Sequence, residues 1–242
     1  VHHFMADVDR RTEQLESARD NFDRTIDTGT GNAGAVAFEY HTNNYGTIQN
    51  LTLRSGDGGG VTGLELLHNC CGPMLAKRIT IEGFDYGINM GRQEYSATFE
   101  HITLTGQKKA GVMNAGNIMA FRGVRSTNTV PAFVDKGGNS MFTILDGEFK
   151  GGSPDKPAVQ SHGSLYVRDL KTDGYKCAIE KRIGTQVKKS RKRTVTWETK
   201  IVDGPVVKEF VGDRVVCLRG DGIGSLKLPI EETPEVPLGD ID

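Results

Sequence analysis

The stretch Ile79-Thr-Ile-Glu-Gly-Phe-Asp-Tyr-Gly-Ile88 carries the reading on which the fold turns. Its opening, Ile79-Thr-Ile81, alternates apolar, polar and apolar, as a strand with one buried face must. Its close, Gly87-Ile88, sets a small residue before a branched apolar one. Both signatures recur along the chain. The alternating triplet returns as Leu51-Thr-Leu53 and Ile102-Thr-Leu104, with Ile26 before it and Val124, Phe149 and Leu170 continuing the column. The small-then-apolar pair returns as Ala35-Val36, Gly63-Leu64, Gly111-Val112, Ala132-Phe133, Ala158-Val159 and Ala178-Ile179. Counted from Val36, successive apolar members lie 28, 24, 24, 21, 26 and 20 residues apart. A third, weaker stretch precedes the triplets, as in Ala97-Thr-Phe99, Ile118-Met119 and Leu165-Tyr-Val167.

Three short strands per turn of just over twenty residues, with Gly and Asn at the corners, predict a right-handed parallel β-helix. A leucine-rich repeat would need its own Leu/Asn consensus, and a propeller needs longer blades. One rung cannot bury its apolar face alone, but rungs stacked ~4.8 Å apart make a continuous interior. Thr52, Thr80 and Thr103 then form an outward hydroxyl ladder. Asn117 and Asn139 are expected at equivalent corners, where Asn tolerates a left-handed backbone.

The remaining composition narrows the possibilities. A hydrophobic fraction of 36 % gives a lean core, and the formal net charge of −1 provides no global field to attract nucleic acid or an anionic membrane. No run approaches the ~20 apolar residues of a membrane span. The four cysteines (Cys70, Cys71, Cys177 and Cys217) have no zinc-ligand spacing, and the vicinal pair reads as packed thiols. Four segments are expected. Residues 1–21 form a helix or loop packed on the first rung, 22–184 the rungs, 185–230 an irregular terminal rung with hairpins and a basic loop, and 231–242 an acidic, linker-like tail. Neither end offers an obvious cap, so the chain reads as part of a larger or tandem β-helix.

Several runs resemble a known family. Thr25-Ile-Asp-Thr-Gly-Thr-Gly-Asn-Ala-Gly-Ala-Val36, Asn43-Asn-Tyr-Gly-Thr-Ile-Gln-Asn-Leu-Thr-Leu-Arg-Ser-Gly-Asp-Gly58, Phe99-Glu-His-Ile-Thr-Leu-Thr-Gly106 and Leu228-Pro-Ile-Glu-Glu-Thr-Pro-Glu-Val-Pro237 are similar to bacterial proteins of the pectate-lyase superfamily. The likeness is to the polygalacturonase-related, "pectate lyase 3"-type β-helices. It implies a secreted or periplasmic protein whose partner is a polysaccharide rather than nucleic acid or membrane. It also implies a second β-helix domain or lobe following the tail. The polygalacturonase catalytic signature is not met. Ser161-His162-Gly163 and Arg182-Ile183-Gly184 are partial echoes, and the paired aspartates are absent.

Rung stacking supplies candidate chemistry. Glu39 and Glu65 are expected one rung and two residues apart, about 8 Å diagonally. That spacing would admit the attacking water of an inverting glycosidase, which needs ~6.5–9.5 Å. Tyr40, His41, His68, Arg92, Glu94 and Tyr95 surround the pair as candidate substrate-binding residues. In an eliminating lyase, Arg92 or His41 would abstract the proton and carboxylate-bound Ca²⁺ would neutralise the uronate. The competing reading makes all of these solvated outer-face residues without a shared pocket. Glu148 and Asp169, expected in adjacent rungs with Lys150 and Lys171 two residues on, read as a self-neutralising charge ladder. Three functions remain open at this level: cleavage of an acidic polysaccharide by hydrolysis or elimination, a non-catalytic glycan-binding or supporting module, and a tailspike- or adhesin-like segment.

Overall fold

A computed structural model describes residues 5–6, 24–68, 71–91, 96–137, 139–189 and 192–212, the side chains of 5–6, 43–45, 185–189 and 192–194 excepted. Every described element is a strand. Sheet A stacks, in order, β1 (Met5–Ala6), β3 (Val36–Tyr40), β5 (Thr62–Leu66), β7 (Tyr86–Met90), β9 (Ala110–Asn114), β12 (Phe133–Asp135), β14 (Val159–Ser161), β16 (Ile179–Lys189) and β17 (Lys192–Val202). Sheet B stacks β2 (Arg24–Asp27), β4 (Thr42–Arg54), β6 (Cys71–Glu82), β8 (Ala97–Thr105), β10 (Ile118–Arg122) with β11 (Arg125–Thr127), β13 (Met141–Lys150), β15 (Ser164–Thr172) and β18 (Val206–Val211). The chain alternates between the sheets, and up to β16 each strand pairs in parallel with its counterpart one turn on. The result is a β-solenoid of about 6 turns, each of roughly 23 residues.

Each long sheet-B strand is folded in two by one residue in the left-handed region. Asn50, Arg78, His101, Gly123, Asp146 and Asp169 occupy this corner in successive rungs, with φ of 55°, 55°, 54°, 67°, 51° and 54°. Five of the six are not glycine, although this conformation is costly for residues with a Cβ. Stacking one identical bend on the next keeps both ladders continuous on either side. These are the left-handed corners, not Asn117 and Asn139. The register sets Ile118 against Met141, so Asn117 faces Ser140. Asn117 is buried and donates to Met90 Sδ at 3.2 Å.

Inside, aligned apolar columns fill the tube. Phe99 and Phe121 stack with centroids 4.6 Å apart, and Phe133 meets Phe121, Phe142 and Phe149 at 4.8, 5.1 and 5.4 Å. Thr52, Thr80 and Thr103 pair outward as the sequence indicated.

One inward column changes character as it climbs. Leu66, Met90, Asn114, Asp135, Ser161 and Lys181 succeed one another in register, all at most 1 % exposed. Asp135 Oδ1 accepts from Gly137 N, Ser140 Oγ, His162 N and Gly163 N at 2.8, 3.0, 2.9 and 2.7 Å, so one carboxylate satisfies the corners of two rungs. Ser161-His162-Gly163 is therefore a corner fitted to Asp135.

The parallel order ends with two reversals. β17 runs antiparallel to β16, and β18 antiparallel to β15. Val207 and Phe210 of β18 are buried in the core cluster and close this end. The sequence offered no obvious cap, because alternation reports which side chains face inward and not which way a strand runs. At the other end, Met5–Ala6 joins sheet A in parallel with β3. The rest of 1–21, and all of 213–242, lie outside the described residues.

Replacing Asp135 with Ala strands four donors in the interior and is expected to lower stability by at least ~2 kcal/mol. Asp135→Asn, which keeps an acceptor oxygen, should cost clearly less. Urea denaturation of the two variants tests this, and equal losses would remove the carboxylate from its anchoring role.

Candidate functional site

Sheet A brings Glu39 and Glu65 together more closely than the sequence suggested. Phe38 pairs with Leu64, and Glu39 lies directly opposite Glu65. The two carboxylates are thus one rung apart, with strand spacing of ~4.8 Å in place of the ~8 Å diagonal. The error has a simple origin. Ala35-Val36 and Ala37-Phe38 are both small-apolar pairs, two residues apart, and a slip of two leaves every side chain on the same face. Met5 is the backbone register partner of Glu39, and Asn89 follows Glu65 in the outward column. Glu65 Oε2 accepts from Thr62 Oγ1 at 3.3 Å.

The same shift brings His41 to the end of the sheet beside His68, with ring centroids 4.4 Å apart and planes inclined by 32°. Cys71 ties the two segments by donating to the carbonyls of His68 at 2.9 Å and Tyr40 at 3.5 Å. Tyr40 turns toward the core and packs on Phe38 at 5.9 Å. Burial pushes its phenol above the usual range, with Thr42 pulling back and Cys71 adding a smaller upward push. Arg92, Glu94 and Tyr95 lie outside the described residues, as does Cys70.

The second carboxylate pair is differently arranged from the one expected. Glu148 stands opposite Arg125 and Lys171, whereas Asp169 stands opposite Asp146 at the left-handed corner. The charge ladder survives as Arg125, Glu148 and Lys171. Lys150 at 2.5 Å does most to hold the Glu148 carboxyl below its ordinary value, with Arg125 contributing at 3.5 Å. Asp57, in the Gly-rich corner, is likewise held low, chiefly by amide donation from Gly31 and Gly59 and then by Ser55. It fastens the loops of two neighbouring rungs.

Two surface grooves lie on sheet B and β18, away from Glu39 and Glu65. One, of about 400 Å³, is lined by Arg122, Asp146, Asp169, Lys171, Val206 and Lys208. The other, of about 280 Å³, runs along Glu148, Lys150 and Lys171. Both are walled by β18, whose antiparallel return the repeat could not announce. The carboxylates of the first are engaged, Asp146 with Arg125 at 3.2 Å and Asp169 with Lys208 at 3.6 Å. Their salt bridges make this surface a balanced charge lattice. Among the described residues, no group of three or more His, Cys, Asp or Glu is placed to hold a metal ion.

Comparison of the chain with protein-family models, curated proteins and solved structures finds no match in any of the three. The functional reading therefore rests on the fold and on these side chains.

Gly46 leaves room for Tyr40, because a Cβ there would collide with the phenol oxygen and with Thr42. Gly46→Ala is expected to displace the ring and return its phenol toward the ordinary ~10. An ultraviolet absorbance titration against wild type reads this directly. An unchanged curve at unchanged thermal stability would contradict the packing described for Tyr40.

Proposed function

We propose that this β-helix cleaves an acidic, uronic-acid-containing polysaccharide by acid/base hydrolysis at Glu39 and Glu65. The observation that carries the reading is the in-register pairing of these two carboxylates on an outward face, with the His41–His68 pair beside them. Their one-rung separation is closer to the ~5–5.5 Å of retaining glycosidases than to the wider gap that an inverting water requires. In that scheme one carboxylate attacks the anomeric carbon while the other protonates the departing glycosidic oxygen. Water, deprotonated by the second residue, then releases the sugar from the first. The imidazoles of His41 and His68 supply hydrogen bonds to sugar hydroxyls or to the uronate. The flat, stacked face of the solenoid suits an extended chain lying along or across the rungs.

A non-catalytic glycan-binding module is the second reading, favoured by the position of both grooves away from the carboxylate pair. A tailspike-like segment has less support. Apart from Leu67, the exposed large apolar side chains among the described residues lie on β17 and β18 and form no stripe along the rungs.

Glu39→Gln and Glu65→Gln are each expected to reduce turnover of a polyuronate at least ~100-fold, in line with loss of a general acid or base. Thermal stability should stay nearly unchanged, since both groups face outward. Mass spectrometry of the products reads the chemistry. Oligosaccharides carrying an added water support hydrolysis, and products lacking it would replace this scheme with elimination. Full turnover in both variants would remove these residues from the reaction.

A further inference from the structure

Sheet A ends at β17. One edge of this strand is paired with β16 from Lys192 to Val202, and the other has no strand beside it among the described residues. An open edge presents a row of amide and carbonyl groups ready to pair with another strand. Folds usually blunt such an edge with a bulge, a proline or repelling charge. The β16–β17 register runs without a shift, and β17 contains no proline.

Between Val195 and Val202 the strand carries one charge of each sign, Glu198 and Lys200, both exposed and on the same face. Lys200 Nζ lies 5.3 Å from the ring centroid of Phe210, and among the described residues Glu198 makes no ion pair. The opposite face carries Val195, Trp197 and Ile201, which are 41 %, 55 % and 42 % exposed. Trp197 already lies over Gly184 with the Arg182 guanidinium 4.4 Å from its ring, so it adds apolar area along the edge and offers no free ring face.

Glu198 and Lys200 flank Thr199 symmetrically. A two-fold axis beside Thr199, normal to the sheet, sets each residue opposite the one equally far on the other side. Glu198 then faces the second copy's Lys200, and Lys200 faces its Glu198, so two opposite-charge pairs form from one strand sequence. Trp197 faces Ile201 by the same symmetry, and Thr196 faces Val202. Other centres do worse. An axis at Glu198 or Lys200 sets like charges face to face, and one at Trp197 or Ile201 brings no opposite charges together.

We propose that the open edge of β17 binds a second copy of this chain, the two strands pairing antiparallel about Thr199. Sheet A then continues from one solenoid into the next, and the two molecules meet end to end. The edge fits its own copy because its charges are complementary to themselves, which a strand of unrelated sequence would have to reproduce. Opposite charges at mirrored positions draw two copies together, where an edge defended by charge of one sign repels its copy. The proposal is independent of the polysaccharide reading.

Sedimentation equilibrium of the full chain tests this. One short strand edge is a small interface, so a monomer–dimer equilibrium with Kd of roughly 1–100 µM is expected, weakened by salt. Glu198→Lys alone and Lys200→Glu alone each set like charges across the seam twice, and each should weaken the dimer at least ~10-fold. A one-to-one mixture of the two variants restores both opposite-charge pairs and should dimerise about as tightly as wild type. That rescue separates a repelled edge from a misfolded variant, since misfolded chains would not recover on mixing. A dimer indifferent to both reversals, or a mixture no tighter than either variant alone, would place any self-association elsewhere and overturn the proposal. So would a protein that stays monomeric up to ~1 mM. Protection of the outward β17 amides from hydrogen exchange in that monomer would assign the edge to the chain's own residues 213–242.

Discussion

The cross-rung register is the constraint on which everything else depends. Each residue of a parallel rung is hydrogen-bonded beside its counterpart roughly 23 residues away, so side chains form columns and a column has one chemical fate. Apolar columns close the interior, threonine columns coat the outside, and left-handed corners fall in one line. A shift of one residue would turn a whole column inside out, whereas a shift of two would keep every face but change every neighbour.

That constraint tolerates buried charge where a column can organise it. Asp135 uses one oxygen to anchor the corners of two rungs. Lys77, Glu100 and Arg122 succeed one another at the bend, with Glu100 lying 3.9 Å from each cation and both Lys77 and Glu100 only 3 % exposed. Such ladders alternate sign between rungs, which limits the desolvation penalty of each member. Gln107 and Asn128 do similar work without charge, the Gln107 amide donating to three carbonyls at 3.0–3.1 Å and accepting from Asn128 at 2.8 Å. The interior of the upper rungs is thus specified by polar geometry as much as by packing.

Glu39 and Glu65 differ from these ladders. They are like charges placed side by side on an outward face, which a sheet built for stability alone would avoid.

The sequence alone determined the solenoid, its period and most of its inward columns. These follow from alternation and spacing, which survive in one dimension. It also marked Glu39, Glu65, His41 and His68 as neighbours, because any repeat of this length places them within a rung of one another. It could not decide between Ala35-Val36 and Ala37-Phe38 as the rung marker, since both preserve facing, and so it set the carboxylates too far apart. The same degeneracy set Glu148 beside Asp169 instead of Lys171. Left-handed corners at Arg78 and His101 carry no compositional flag, because stacking rather than residue type imposes them. Only the tertiary structure decided the direction of β17 and β18, the resulting cap and grooves, and the seating of Trp197 over Gly184 beside Arg182. Strand direction and cross-strand partners are properties of the assembled sheet, and the hydrophobic pattern of a single strand is the same whichever way its neighbour runs.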